Sequence, residues 1–143
     1  MMPSTAGYLL DTNAISELRR NKPHPAVIAW LKAVPAQRLF LSAFTVAELQ
    51  AGVETLWRRD AAKAGEIEAW IDAVCQSWSV LPLDIACCRQ WAREVKGRSD
   101  TLFEDAFIVA TARVHRLTIV TRNTKDFDTF DIPALNPFLH RGD

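Results

Sequence analysis

Short apolar runs alternate with stretches of helical periodicity along the whole chain, and no other feature narrows the fold as far. Tyr8-Leu9-Leu10, Leu39-Phe40-Leu41, Ser79-Val80-Leu81-Pro82-Leu83 and Leu117-Thr118-Ile119-Val120 each have the length of a buried strand. Leu135 and its neighbours, before Asn136-Pro137, supply a fifth candidate. Strands that are apolar throughout, with helices between them, indicate an α/β domain built on a parallel sheet covered on both faces. Right-handed crossovers then bring every strand's carboxyl end to one edge, which is where α/β sheets bind their ligands.

The intervening stretches read as helices. One runs from Asn13 to Arg20, opened by a side-chain cap and broken by Asn21-Lys22-Pro23-His24-Pro25. Residues 26–33 form another, with Val27, Trp30 and Leu31 on one face. Helical spacing then runs from Ser42 to Arg59 and again from Asp60 to Gln76, which predicts a helical hairpin standing off the sheet. Asp84 caps a helix whose apolar face is Ile85, Cys88, Trp91 and Val95, stopped by Gly97. Thr101 opens the last helix, which continues to Val114. No linker or repeat interrupts residues 1–143, so a single domain is expected.

Composition excludes more than it selects. Lys plus Arg and Asp plus Glu both number 17, so nucleic-acid binding has to rest on local patches. No apolar run is long enough to span a bilayer. Met1-Met2-Pro3-Ser4 has neither the basic segment nor the apolar core of a secretory leader, so a cytoplasmic protein with no membrane partner is expected. Cys75, Cys87 and Cys88 form no CxxC pair and read as packed, inert thiols. His24, His115 and His140 read as ordinary surface residues.

The chemistry lies in the acids. Asp11 ends the first strand and precedes a helix, so it is either a helix cap or a ligand in the crevice. Glu48 closes Thr45-Val46-Ala47-Glu48, a capping-box pattern, but if Ser42 takes the cap instead, Glu48 is released to point elsewhere. In Thr101-Leu102-Phe103-Glu104-Asp105-Ala106, Glu104 fills the capping-box position. Asp105 is then left entering an apolar helix, where an unpaired carboxylate needs a partner or a cation. The helix N-terminus is expected to favour its ionised form. Thr121 and Asn123 follow the fourth strand, and Asp126 is either a fourth acid or a solvated loop residue. Oxygen donors from separate elements, without His or Cys spacing, point to a hard cation, Mg2+ with Mn2+ as a substitute.

Leu9-Leu10-Asp11-Thr12-Asn13, Ser42-Ala43-Phe44-Thr45-Val46-Ala47-Glu48-Leu49, Glu104-Asp105-Ala106-Phe107-Ile108-Val109-Ala110-Thr111-Ala112 and Val120-Thr121-Arg122-Asn123 together resemble PIN-domain ribonucleases, most of all the VapC-type toxins of toxin–antitoxin pairs. The similarity extends to the closing Asn136-Pro137-Phe138. It implies a three-layer α/β/α domain with a mostly parallel sheet of four to five strands. It also implies Mg2+- or Mn2+-dependent endoribonuclease activity leaving a 3′-hydroxyl and a 5′-phosphate, and a small antitoxin that blocks the site. Asp11, Glu48 and Asp105 carry over as catalytic metal ligands, with Asn13 and Thr121 as supporting polar residues. Asn123 stands where many members have a fourth acid, a place that Asp126 is positioned to fill.

Arg19, Arg20, Lys22, Arg58, Arg59 and Arg122 are the cations expected along the active edge as an RNA footprint. Trp57, Trp70 and Trp78 suggest an apolar patch for a homodimer, or for a dimer-based complex with the antitoxin. A receiver-type phosphoacceptor fits poorly, because Asp11-Thr12 lacks the acidic pair and Arg122 replaces the late lysine. A haloacid-dehalogenase phosphatase would need a second acid at Asn13. The competing reading within the family is a catalytically weak module that binds RNA or protein.

Overall fold

The computed structural model describes residues 7–141, so the leader reading of Met1 to Ser4 lies outside the described residues. Five strands, β1 (Tyr8–Leu10), β2 (Leu39–Ser42), β3 (Ser79–Leu81), β4 (Thr118–Val120) and β5 (Ala134–Leu135), form one sheet in the order β3-β2-β1-β4-β5. Every neighbouring pair is parallel. β3 stops at Leu81, because Pro82 cannot donate to the ladder and ends the strand two residues before Leu83. The six helices are α1 (Thr12–Glu17), α2 (Pro25–Ala33), α3 (Ala43–Leu56), α4 (Ala61–Ser77), α5 (Ile85–Val95) and α6 (Phe103–His115).

Alternation along the strands divides the interior in two. Leu9 and Ile119 point into a core closed by Ile108, Val109 and Ala112 of α6, with Trp91 of α5 packed against it. Leu10, Leu41 and Val120 point the other way, onto Ile15 of α1, Trp30 of α2 and Val74 of α4. Those two cores, one on each face, make the three layers. α3 and α4 form the expected hairpin with a small core of their own around Val53, Ala64 and Ile71. Trp70 and Trp78 pack into the sheet-side core. They do not join Trp57, 38% exposed, in the apolar patch expected of them, because burial of their large rings is worth more.

Three local expectations are corrected. α5 is turned so that Cys87 and Glu94 face inward, while Ile85 is 78% exposed and Cys88 lies outside. Glu94 receives Nε of Arg113 at 2.5 Å, and that ion pair to α6 sets the rotation. Of the three thiols only Cys87 is packed; Cys75 and Cys88 are exposed. The box at Thr101 does not form: Ser99 caps a 3-10 turn over Asp100–Leu102, and α6 begins at Phe103 with no side-chain cap. Gly97 does follow α5, at φ +75°.

β1 also needs Gly7 at its entrance. A Cβ there would lie 2.7 Å from the Phe40 ring and 2.8 Å from the Arg38 carbonyl oxygen. Among the described residues no helix is long and apolar enough to cross a membrane.

Candidate active site

The chain runs from β1 outward to β2 and β3 on one side, then crosses to β4 and β5 on the other. The strand order therefore reverses between β1 and β4, and the crevice beyond their carboxyl ends is the natural binding position of such a sheet. Leu10 and Val120 are paired there in register, and the next residues out are Asp11 and Thr121.

Asp11 caps α1 with one carboxylate oxygen and turns the other to the crevice. Its Oδ1 accepts the Thr12 backbone N–H at 2.8 Å at the start of α1. Its Oδ2 accepts the Thr121 hydroxyl at 3.1 Å and the Asn13 amide at 3.3 Å. Thr121 is fully buried, and its hydroxyl also accepts Asn13 Nδ2 at 3.2 Å and the Asn123 N–H at 3.1 Å. Asn13 Oδ1 accepts the Arg122 N–H at 3.0 Å, which pins the loop after β4 to α1.

Glu48 is free of capping duty. Ser42 takes the cap of α3 by accepting the Phe44 N–H at 3.0 Å, which leaves Glu48 a full turn inside the helix. Its Oε1 accepts the Thr12 hydroxyl at 2.5 Å, so the residue after Asp11 holds the second acid in place. Asp105 comes from the first turn of α6, beside Glu104. Together Asp11, Thr12, Asn13, Glu48, Glu104, Asp105, Asn123 and Asp126 line a cleft of about 350 Å³.

The carboxylates feel one another. Burial pushes Asp105 up to about 6, helped by the charges of Asp11, Asp126, Glu48 and Glu104. The favourable pull expected from the helix N-terminus is overcome by that combination. Burial raises Asp11 too, opposed by the Thr12 N–H and the Thr121 hydroxyl, with Asp126 adding to the rise. Glu48 is raised by burial and by Asp11 and Glu104, against the Thr12 hydrogen bond. Carboxylates crowded until each resists ionisation suit a divalent cation, and the donors are all hard oxygens. Among the described residues no three acidic, His or Cys side chains are arranged to hold an ion as they stand.

A model of the PIN domain matches residues 8–133. The chain belongs to the PIN-domain family. The toxin FitB of Neisseria gonorrhoeae is 34% identical over 137 residues, which is 91% of this chain and 97% of that protein. The VapC ribonuclease Y4jK of Sinorhizobium fredii is 33% identical over 136 residues, covering 91% and 96% of the two chains. The crystal structure of FitAcB from Neisseria gonorrhoeae contains a chain that matches with a TM-score of 0.80 at 34% identity, covering 92% of this chain and 99% of that chain.

Within the PIN domain, the sequence reading and the structure part company at the edges of the site. Thr12 and Glu104 were not anticipated there: Thr12 is hidden between two better-known residue types, and Glu104 matches a capping motif that does not form. Asp126 lines the cleft, beside Asn123. Arg19, Arg20 and Lys22 meet in a second cleft of about 510 Å³, joined by Lys63 from α4, which no spacing in the sequence indicated. Arg58 and Arg59 lie exposed in the turn after α3 and line neither cleft.

Proposed function

We propose that this PIN domain is the toxin of a type II toxin–antitoxin pair, an endoribonuclease that uses Mg2+ or Mn2+ held by Asp11, Glu48 and Asp105. The observation that carries the reading is the gathering of acids from four separate elements at the β1/β4 reversal, with Asp105 pushed up to about 6 by burial and then by its acidic neighbours. The names of the relatives, a toxin and a VapC ribonuclease, support it. So do solved neighbours described as FitAcB and as FitAB bound to a DNA fragment, in favour of an antitoxin partner and a DNA-binding complex.

When bound, the divalent cation supplies charge neutralisation at the scissile phosphate and lowers the pKa of a water. The protein's own part is positional. Thr121 and Asn13 orient Asp11, Thr12 orients Glu48, and Asp126 stands in for the acid that Asn123 lacks. Water adds to phosphorus in line with the departing 3′-oxygen. The P–O3′ bond breaks, the 3′-oxygen takes a proton, and the products are a 3′-hydroxyl and a 5′-phosphate. Arg19, Arg20, Lys22 and Lys63 offer cations for the flanking backbone.

The test is wild type against Asp105→Asn on total RNA, each with Mg2+ and with EDTA. Cleavage is expected from the wild type with Mg2+ alone. Equal cleavage by both proteins removes the assignment. Binding of RNA without cleavage by the wild type supports the binding-module reading instead.

A further inference from the structure

Beyond the acids, on the other side of Asn13, lies a separate cleft of about 310 Å³ with Glu17, Arg20, Lys22, His24, Arg122 and Phe138 in its walls. Its size is at the lower end of small-ligand sites. Three cations face one carboxylate, and Glu17 is already engaged: it is buried, accepts the His24 backbone N–H at 2.8 Å and sits 3.7 Å from Arg20. That bond fixes the 21–24 loop and the side chains it presents. His24 caps α2, accepting the Ala26 N–H on Nδ1 at 3.1 Å, and its ring meets Phe138 edge-on at 5.3 Å.

Arg122 lines this cleft. Its N–H is bonded to Asn13 and its carbonyl accepts Asn136 Nδ2 at 3.2 Å, so its backbone is tied to both the acid site and the C-terminal turn. Its guanidinium lies 4.3 Å from the centroid of the Phe138 ring. Among the described residues it has no carboxylate partner. Arg122 is exposed and its guanidinium lies over the ring, and unstacked bases of single-stranded RNA pack on guanidinium planes.

We infer that this cleft is a nucleotide subsite: it takes one unpaired nucleotide of the RNA strand beside the scissile bond, its base on the Arg122 guanidinium and its phosphate against Arg20 and Lys22. The inference rests on the ribonuclease reading above and deepens it, since it assigns the base beside the cut a stacking position on Arg122, backed by Phe138. Recognition by a planar face tolerates any base, so the demand is for an unpaired base and not for a particular one. The link to the acids is direct, because Asn13 hydrogen-bonds Asp11 on one side and the Arg122 backbone on the other.

The test uses Arg122→Lys, an exposed substitution that keeps the charge and removes the plane, in full-length protein. Fluorescein-labelled single-stranded RNA of mixed sequence is titrated by anisotropy, intact and with an abasic site moved along the strand, and the same strand is also presented as a duplex. Native protein is expected to lose roughly 10-fold in affinity at one abasic position and to bind the duplex more weakly. Arg122→Lys should show the intact strand weakened by about the same factor, no abasic penalty, and an unchanged salt dependence. Phe138→Leu should reproduce the loss and Phe138→Tyr should restore it. An abasic profile identical in native and Arg122→Lys protein overturns the subsite while leaving cleavage of total RNA, and so the ribonuclease reading, intact. Absence of both RNA binding and RNA cleavage in the native protein overturns both.

Discussion

Replacing Asp105 by Asn should make the metal-free protein more stable while destroying its activity. Asp105 titrates at about 6 in the fold against 3.8 for its ordinary value. Because the folded-state value is the higher one, the fold binds more protons than the unfolded chain between those values, and stability falls as pH rises through that window. Below it the acid is neutral in both states and the penalty vanishes; above it the penalty is complete. Two pKa units correspond to roughly 3 kcal/mol, and solvent screening at this half-buried position reduces the figure to about 1–2 kcal/mol. For a domain of this size that is a rise in Tm of roughly 3–6 °C at about pH 7.5, shrinking toward zero near about pH 4. Thermal melts of wild type and Asp105→Asn in EDTA across that range, each repeated with Mg2+, give the assay. Wild type should gain stability from Mg2+, by about 2.7 kcal/mol at a hundred times the Kd, and the variant should gain less. A variant that melts lower than wild type at neutral pH, or a difference that does not change with pH, would refute the crowded-acid argument.

Three other outcomes follow from particular contacts. Thr12→Val removes the hydroxyl that holds Glu48, and cleavage rate should fall by about 10-fold or more with little change in melting, as read by single-turnover kinetics. Glu94→Ala strips Arg113 of its carboxylate at the α5–α6 contact. It should cost about 3 kcal/mol in urea unfolding, the lower end of the range for a buried pair because Arg113 is partly exposed. Combining Arg19→Ala with Lys63→Ala should lower the slope of log affinity against log salt for single-stranded RNA by about 1.4, and an unchanged slope would remove that cleft from the footprint.

The strands and the polar groups at their ends, Asp11 and Thr121, were legible because each rests on a local pattern. Leu9-Leu10-Asp11 and Ile119-Val120-Thr121 are apolar runs that end at a polar group, and a parallel sheet leaves those groups only one edge to reach. Glu48 was legible only conditionally, since Thr45 and Ser42 both offered a cap and the distance from the strand decides in favour of Ser42. The rotation of α5 was not legible. Its inward face includes Glu94, which hydrophobic spacing counts as polar, and its partner Arg113 lies 19 residues away on the next helix. Lys63 escaped for the same reason: it joins Arg19 only because α4 folds back across the end of α1. Glu104 fitted a motif that does not form, because Ser99 caps a 3-10 turn ahead of α6 and the helix itself starts without a side-chain cap.

The division of labour within Asp11 has a genetic consequence. One of its oxygens serves the backbone that opens α1 and the other serves the crevice. On the proposed assignment, alleles that lose Asp11 should lose a metal ligand and a helix cap worth about 1 kcal/mol together, which lowers the folded fraction of the chain. Alleles that lose Asp105 relieve crowding and leave a durable, folded, inert chain. In a cell that carries the proposed antitoxin, the first class should leave less folded chain to bind it. The second should still occupy that antitoxin, and so act dominantly over a wild-type copy by competing for it.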